Sequence, residues 1–315
     1  MTPVPRPARV TVTAHAKLNL GLAVGPVRTD GFHDLVTVFQ SVSLADVLVA
    51  ERAARGFTLR VAHESADRRG LPLPAATALV PSGADNLVLR AARMVHERYR
   101  LPGGERFRLL KRIPAQAGMG GGSADAAAAI AAVLALHGVR ALRESRIEMA
   151  AELGSDVPFA ITGGTALALG RGERLRRLAL DEPLRFVIAV PGWRVSTAEA
   201  FARVDKGKYG LTQWKPTLRL AASLGRNRVT ASWPGRLGNT FERALGPKTH
   251  DFDSLCARLR AAGVLQPHLT GSGSGVFGIV PKGTRVREVV DHFTGDEWLC
   301  SARSVGKGLQ LRTQP

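Results

Sequence analysis

Cysteine is nearly absent: Cys256 and Cys300 are the only two in 315 residues, and they stand far apart. That excludes a disulfide framework, and two thiols alone cannot build a four-ligand zinc site. A reducing, cytoplasmic setting is expected. Aromatic residues are scarce at 5%, which argues against the stacking platforms of a single-strand nucleic-acid binder. No apolar run reaches the ~20 residues of a membrane span. The opening "MTPVPRPARV" has no hydrophobic signal core, so neither secretion nor a membrane partner is expected. Acidic residues are outnumbered 26 to 44, giving a formal net charge of +18. An excess of that size raises the question of an anionic partner. Yet 36 of the 44 basic residues are arginine, and they are scattered among acids, as in "ERYRLP" (97–102). A bias in base composition accounts for this pattern better than a binding stripe does, and no nucleic-acid partner is expected.

What is present is a soluble globular composition, 45% hydrophobic and 22% charged, with length for one large or two ordinary domains. Residues 9–24, "RVTVTAHAKLNLGLAV", alternate with period two: Val10, Val12, Ala14, Ala16, Leu18, Leu20 and Leu22 on one face, Thr11, Thr13, His15, Lys17 and Asn19 on the other. This predicts a half-buried strand. More strand follows over 35–50 and 57–62, then a polar loop over 65–84. An amphipathic helix over 85–99 has Asp85 or Asn86 as its cap. A strand at 106–114 runs into the glycine-rich "IPAQAGMGGGSADAAAAI" (113–130), with a helix from Ser123 and Gly138 at its C′ position. Another helix is predicted over 143–153. Beyond it come strands in "ITGGTALALGRGE" and "RFVIAVPG", and a helix over 196–205. Residues 206–235 resist reading. Helices are expected in "GNTFERAL" and "DFDSLCARLRAAG", and a strand, glycine turn and strand in "HLTGSGSGVFGIV". A helix in "RVREVVDHFTG" and a last strand in "WLCSARSV" complete the chain. Strands and helices interleave without a strict repeat, so the fold class is α+β. Two domains are expected, 1–165 and 166–315, with the boundary open by about 20 residues.

The glycine loop is the most informative segment. Glycines let backbone amides approach a ligand with no Cβ in the way, and the following helix offers unpaired N–H groups and a positive dipole end. That combination suits a polyphosphate. It is not a P-loop, because no lysine follows the glycines, and it lacks the G-x-G-x-x-G spacing of a dinucleotide fingerprint. Gly273, Gly275 and Gly278 do have that spacing, but they run into "VFGIV", which reads as a strand rather than a helix.

The loop resembles the P-x-x-x-G-[LM]-G-G-G-S-[SA] motif of the GHMP kinases. "AHAKLNLGLAV" resembles the first motif of that superfamily and "LTGSGSGVFGIV" the third. The three occur in order over residues 14–280. The resemblance implies a two-domain kinase: an N-terminal domain like domain 2 of ribosomal protein S5, a ferredoxin-like C-terminal domain, and ATP with Mg²⁺ as cofactors. It also implies ATP binding by Pro114, Ala115, Gln116, Ala117, Gly118, Met119, Gly120, Gly121, Gly122, Ser123 and Ala124. Within the superfamily, "AKLNL", "RTDGFH", "GSDVP" and "PGWRVSTAEAF" resemble the branch that phosphorylates a cytidyl-diphosphate-linked methylerythritol on the non-mevalonate route to isopentenyl diphosphate. A mevalonate- or homoserine-type kinase would explain the loop but neither "DGFH" nor "VSTAEAF". A monomer or homodimer acting on a small molecule is expected.

Phosphoryl transfer to an alcohol needs a group to receive the hydroxyl proton and a cation to steady developing charge. Lys17 and Asp156 can supply them. On the residues alone, Asp156 before Val157-Pro158 reads equally as a helix N-cap; the resemblance implies the catalytic base, with Lys17 the catalytic cation. Phe32 offers an aromatic face and His33 a ring nitrogen. A histidine in a turn would ordinarily be a surface residue, but the resemblance implies that this pair holds cytosine. Asn19 and Thr197 are further substrate-binding candidates. Ser123 reads either as a ligand of Mg²⁺ or phosphate or as a helix cap. Two positions depart from the motifs: Ala124 replaces a second loop serine, and Thr240 stands where an aspartate is common.

Overall fold

The computed structural model describes residues 7–64, 67, 69–74, 80–180, 182–207, 213–225 and 236–314. Parts of the 65–84 loop and of 206–235 lie outside the described residues.

The alternating N-terminal segment forms β1 (Arg9–Val27), which pairs antiparallel with β2 (His33–Ala53) along most of its length. The pairing slips between His15 and Lys17 and again between Asn19 and Gly21. The half-buried expectation fails beyond Ala14. His15, Lys17 and Asn19 are buried like their apolar neighbours, because a second layer packs over the polar face there. β4 (Gly104–Lys111) pairs with the far half of β2, and β3 (Gly56–His63) lies parallel to β4. β5 (Thr165–Gly170) pairs with the near half of β2 and with β6 (Arg174–Leu178). Helices α1 (Leu87–Tyr99) and α2 (Gly121–Leu136) cover this sheet. The Asn86 side chain caps α1 by accepting the Val88 N–H at 2.8 Å. In α2 the alanines at 124, 126–129 and 132 are all buried; their small side chains let the helix lie close between sheet and neighbours. Gly138 takes its expected left-handed conformation just beyond α2 (φ 66°). Then come α3 (Arg143–Leu153) and the short α4 (Val157–Thr162).

The second layer is a four-stranded antiparallel sheet in the order β11-β7-β10-β9. Its strands are β7 (Arg185–Val190), β9 (Leu265–Leu269), β10 (Val276–Ile279) and β11 (Trp298–Arg303). Helices α5 (Thr197–Gly207), α6 (Trp214–Gly225) and α7 (Thr249–Ala261) separate β7 from β9, and α8 (Val286–His292) separates β10 from β11.

The large sheet draws strands from both sides of residue 165. The chain leaves it between Leu178 and Arg185. It returns twice, as β8 (Gly238–Asn239) beside β1 and as β12 (Leu309–Gln314) on the edge of β1. Two expectations are corrected. "WLCSARSV" is not the last strand, since β12 follows. "GNTFERAL" is a two-residue strand followed by a 3₁₀ turn, Thr240–Ala244, rather than an α-helix. The unreadable stretch contains α6.

Candidate active site

The glycine loop leaves β4, crosses the middle of β1 and enters α2. The Lys17 N–H donates to the Met119 carbonyl at 3.0 Å, stitching loop to strand. Met119 and Ala117 are buried anchors, while Gln116, Gly118, Gly120 and Ser123 line a cavity of about 830 Å³. Gly118 and Gly120 are left-handed (φ 74° and 70°), a conformation a Cβ disfavours. A Cβ on Gly118 would also sit 1.9 Å from the Thr270 carbonyl oxygen. Helix α2 begins at Gly121, two residues before the expected start, with Gly120 as its N-cap and no side chain closing it. Ser123 is therefore in the first turn and is not the cap. The first-turn N–H groups, without a capping side chain, are suited to an anion.

The turn between β9 and β10 braces this loop. The Thr270 hydroxyl donates to the Gly118 carbonyl at 3.2 Å, and the Gly275 N–H to the Ala117 carbonyl at 3.2 Å. Asn19 ties the brace to β1. Its Oδ1 accepts the Gly271 N–H at 2.9 Å and the Lys17 ammonium at 2.7 Å, and its Nδ2 donates to the Thr37 hydroxyl at 2.8 Å. Asn19 thus orients other groups and also lines the cavity, with one Nδ2 hydrogen left for a ligand. Lys17 Nζ also lies 3.5 Å from Asp156 Oδ2 and 5.3 Å from the Phe39 ring centroid. Asp156 occupies the N-cap position of α4, but its side chain makes no capping bond. Its carboxylate is about one-third exposed and lines the cavity.

At the other end of the cavity, the His33 Nε2 lies 2.9 Å from Asp205 Oδ1, and its ring stacks on Phe201 at 4.6 Å. Phe32 is exposed, with the Arg171 guanidinium 4.6 Å over its ring. Thr197 pairs with the Ser272 hydroxyl at 2.8 Å. His33, Phe201, Phe32, Arg171, Thr197 and Ser272 line the same cavity, as do Ser155 and Arg194. Of the other loop residues, Pro114, Ala117, Met119, Gly121 and Ala124 are buried behind the cavity wall; Ala115 and Gly122 are not part of that wall. Thr240 is fully buried: its hydroxyl accepts the Val24 N–H at 3.2 Å and donates to the Leu22 carbonyl at 3.3 Å. It fastens the 3₁₀ turn to β1 and does not line the cavity.

Sequence reasoning missed Arg171, Arg194, Phe201 and Ser272. The two arginines carried no signal among 36. It also missed a buried ion triad behind the loop. The Lys111 ammonium donates to Asp46 Oδ2 and, at 2.7 Å, to Asp125 Oδ2. Asp46 Oδ1 accepts the N–H groups of Arg112 (2.6 Å) and Ile113 (2.9 Å). The triad therefore staples the residues entering the loop to the helix leaving it. Burial pushes the Asp125 carboxyl up to about 7, against the opposing pull of Lys111.

The fold and this loop define a class of enzyme, the GHMP kinases. The family model "GHMP kinases N terminal domain" matches residues 86–164, from the cap of α1 through the loop to just past α4. A curated relative from Streptomyces coelicolor, 4-diphosphocytidyl-2-C-methyl-D-erythritol kinase, is 40% identical over 84% of this chain and 85% of its own length. The enzyme of that name from Caldanaerobacter subterraneus subsp. tengcongensis is 32% identical over 96% of this chain and 99% of its own. A crystal structure of 4-(cytidine 5'-diphospho)-2C-methyl-D-erythritol kinase superposes with a TM-score of 0.75 at 32% identity, covering 94% of this chain and 99% of that one. The chain belongs to the 4-diphosphocytidyl-2-C-methyl-D-erythritol kinase family.

Proposed function

We propose that the protein transfers the γ-phosphoryl group of ATP to the 2-hydroxyl of 4-diphosphocytidyl-2-C-methyl-D-erythritol. The observation that carries this reading is the Lys17–Asp156 pair, 3.5 Å apart, facing the same cavity as the glycine loop. Backbone amides of the loop and the first turn of α2 hold the triphosphate. Asp156, with no cap to form, receives the proton of the acceptor hydroxyl. Lys17, fixed by Asn19, steadies the developing negative charge. General-base assistance of this kind is worth ~10²–10⁴-fold in rate.

The acceptor end follows from ring chemistry. With Nε2–H committed to the Asp205 carboxylate, His33 keeps Nδ1 as an acceptor, matched to the exocyclic amine of cytosine. Phe32 supplies a face for the base. Thr197 and Ser272 add hydroxyls beside the glycine turn. The hard oxygen donors at the loop, the Ser123 hydroxyl and the Asp156 carboxylate, are the types that bind Mg²⁺ together with nucleotide phosphates. Held there, Mg²⁺ would neutralise phosphate charge.

The finer fold reading is part of the proposal. The order β11-β7-β10-β9, with helices after β7 and β10, supports a ferredoxin-like C-terminal domain. The β1–β6 sheet with α1 and α2 supports the S5-like N-terminal one. We take the enzyme to act in the cytoplasm as a monomer or homodimer, without a nucleic-acid or membrane partner. Among the described residues no helix is long and apolar enough to cross a membrane.

The test is ADP release with ATP, Mg²⁺ and, separately, the cytidyl-diphosphate-linked methylerythritol, mevalonate and homoserine. Turnover is expected with the first. Turnover only with a non-cytidylated alcohol refutes the assignment.

A further inference from the structure

At the end of α2 remote from the phosphate loop, three buried side chains converge: His96 in the last turn of α1, His137 at the C-cap of α2, and Glu105 near the start of β4. The Nε2 atoms of both histidines lie 2.8 Å from the same Glu105 oxygen, Oε1. The other oxygen, Oε2, is buried with no hydrogen-bond partner. Helix α2 has 16 residues, so this cluster lies ~24 Å from the loop and plays no part in the chemistry there.

The hydrogen-bond accounting is unusual. His96 Nδ1 lies 3.2 Å from the Leu101 carbonyl. A carbonyl only accepts, so Nδ1 carries the proton. In the neutral ring Nε2 is then a lone pair, and it faces a carboxylate oxygen, which is also an acceptor. Two lone pairs at 2.8 Å repel. Either a second proton or a metal cation must lie between them.

We propose that His96, Glu105 and His137 form a structural site for a zinc-class divalent ion. Two imidazole nitrogens and a carboxylate are a common zinc donor set, whereas Mg²⁺ and Ca²⁺ prefer oxygen alone. A bidentate Glu105 brings the ligand atoms to four, together with the two histidine nitrogens, and gives the orphaned Oε2 a partner. The Leu101 carbonyl on Nδ1 is the outer contact that fixes a ligating histidine in the correct tautomer. The C-terminal ends of α1 and α2 point their negative dipole ends at the site, which favours a cation. Phe57, edge-on to the His96 ring at 4.9 Å, adds an apolar wall. The ligand atoms lie within 4.8 Å of one another. Zinc bond lengths of ~2.0–2.1 Å place neighbouring ligands about 3.3 Å apart, so each nitrogen would retreat about half an ångström from Oε1, and the two nitrogens, within 4.8 Å of each other, would adjust toward the same spacing. The ion would pin two helix ends to one strand.

The test uses the full chain, stripped with EDTA and dialysed. Zn²⁺ alone is titrated with metal analysis after gel filtration and with thermal melting, and Co²⁺ is titrated with visible absorption. One tightly held ion per chain, a higher Tm on Zn²⁺ addition and the d–d bands of tetrahedral Co²⁺ are expected. His137→Gln should weaken affinity at least about 100-fold, beyond what outer contacts alone contribute, with kinase activity unchanged. If that variant does not fold, the Co²⁺ spectrum of the unaltered protein decides. Failure of the stripped protein to take up Zn²⁺, absence of tetrahedral bands, or equal binding by a folded His137→Gln overturns the site.

Discussion

Replacing Lys111 by methionine tests the staple behind the phosphate loop. Lys111 is almost fully buried and, among the described residues, is the one cation bonded to both Asp46 and Asp125. Methionine fills nearly the same volume, so the loss is electrostatic rather than a cavity. It leaves two carboxylates in a dry site. Asp46 retains two backbone donors, whereas Asp125 keeps only the neighbouring Asp46 carboxyl, since its Oδ1 already lacks a partner. Breaking a buried pair in this way costs ~3–5 kcal/mol. Unfolding entropy of about 2.1 cal/mol/K per residue gives about 0.7 kcal/mol/K for 315 residues. Differential scanning calorimetry should therefore find Tm lowered by about 5–8 °C. Because the staple joins Arg112 and Ile113 to the first turns of α2, the KM for ATP should rise more than that for the acceptor. Adding Asp125→Leu should restore part of the lost stability, because it removes the unpaired charge. A Lys111→Met protein that melts within 2 °C of the parent (roughly 1 kcal/mol), with an unaltered KM for ATP, would refute the staple.

Asp156→Asn and Lys17→Ala should each lower kcat by at least ~10²-fold while leaving ATP binding, measured by calorimetry, near normal; full activity in either removes that residue from the mechanism. Gly118→Ala combines a left-handed backbone with a Cβ 1.9 Å from the Thr270 carbonyl, so ATP binding should be lost and Tm lowered, which titration and melting together will read. Asp125 supplies a pH signature. Its folded-state value of about 7 lies above the ordinary 3.8, so the folded chain holds this proton more tightly than the unfolded one. The resulting stabilisation is complete below about pH 3.8 and fades as pH rises through 7. Asp125→Asn should flatten that part of the Tm–pH curve, and an unchanged slope would contradict the assignment.

Local signals in the sequence were strong where backbone chemistry is obligatory. Alternation from Val10 to Leu22, the Asn86 cap, the glycines at 118–122 and Gly138 all point to their elements, because few residues satisfy those geometries. What was illegible depends on distance. The burial of Asn19 comes from Thr270 and Gly271, some 250 residues away, and that of Lys17 from Phe39, Met119 and Gly120. β12 carries only Leu309 and Leu311 as apolar residues and is a strand because β1 offers it an edge. The Lys111 triad joins residues from three elements, none of them in a motif. Thr240 falls in the same group: with a hydroxyl that satisfies both Val24 and Leu22, an aspartate there would lose a donor.

The interlock of the two glycine turns bears on how such a cavity can be remodelled by mutation. A Cβ at residue 271 would lie 2.9 Å from the Gly118 carbonyl oxygen, so altering one turn displaces the other. The donor-side wall and the turn against it form a single mechanical part in which change is penalised twice. Phe32 and His33 are braced instead by Arg171, Phe201 and Asp205, none of which belongs to the interlock. If the acceptor binds at that end, as proposed, drift in acceptor preference is channelled there, and so is the scope for an inhibitor that distinguishes this enzyme from other kinases sharing its fold.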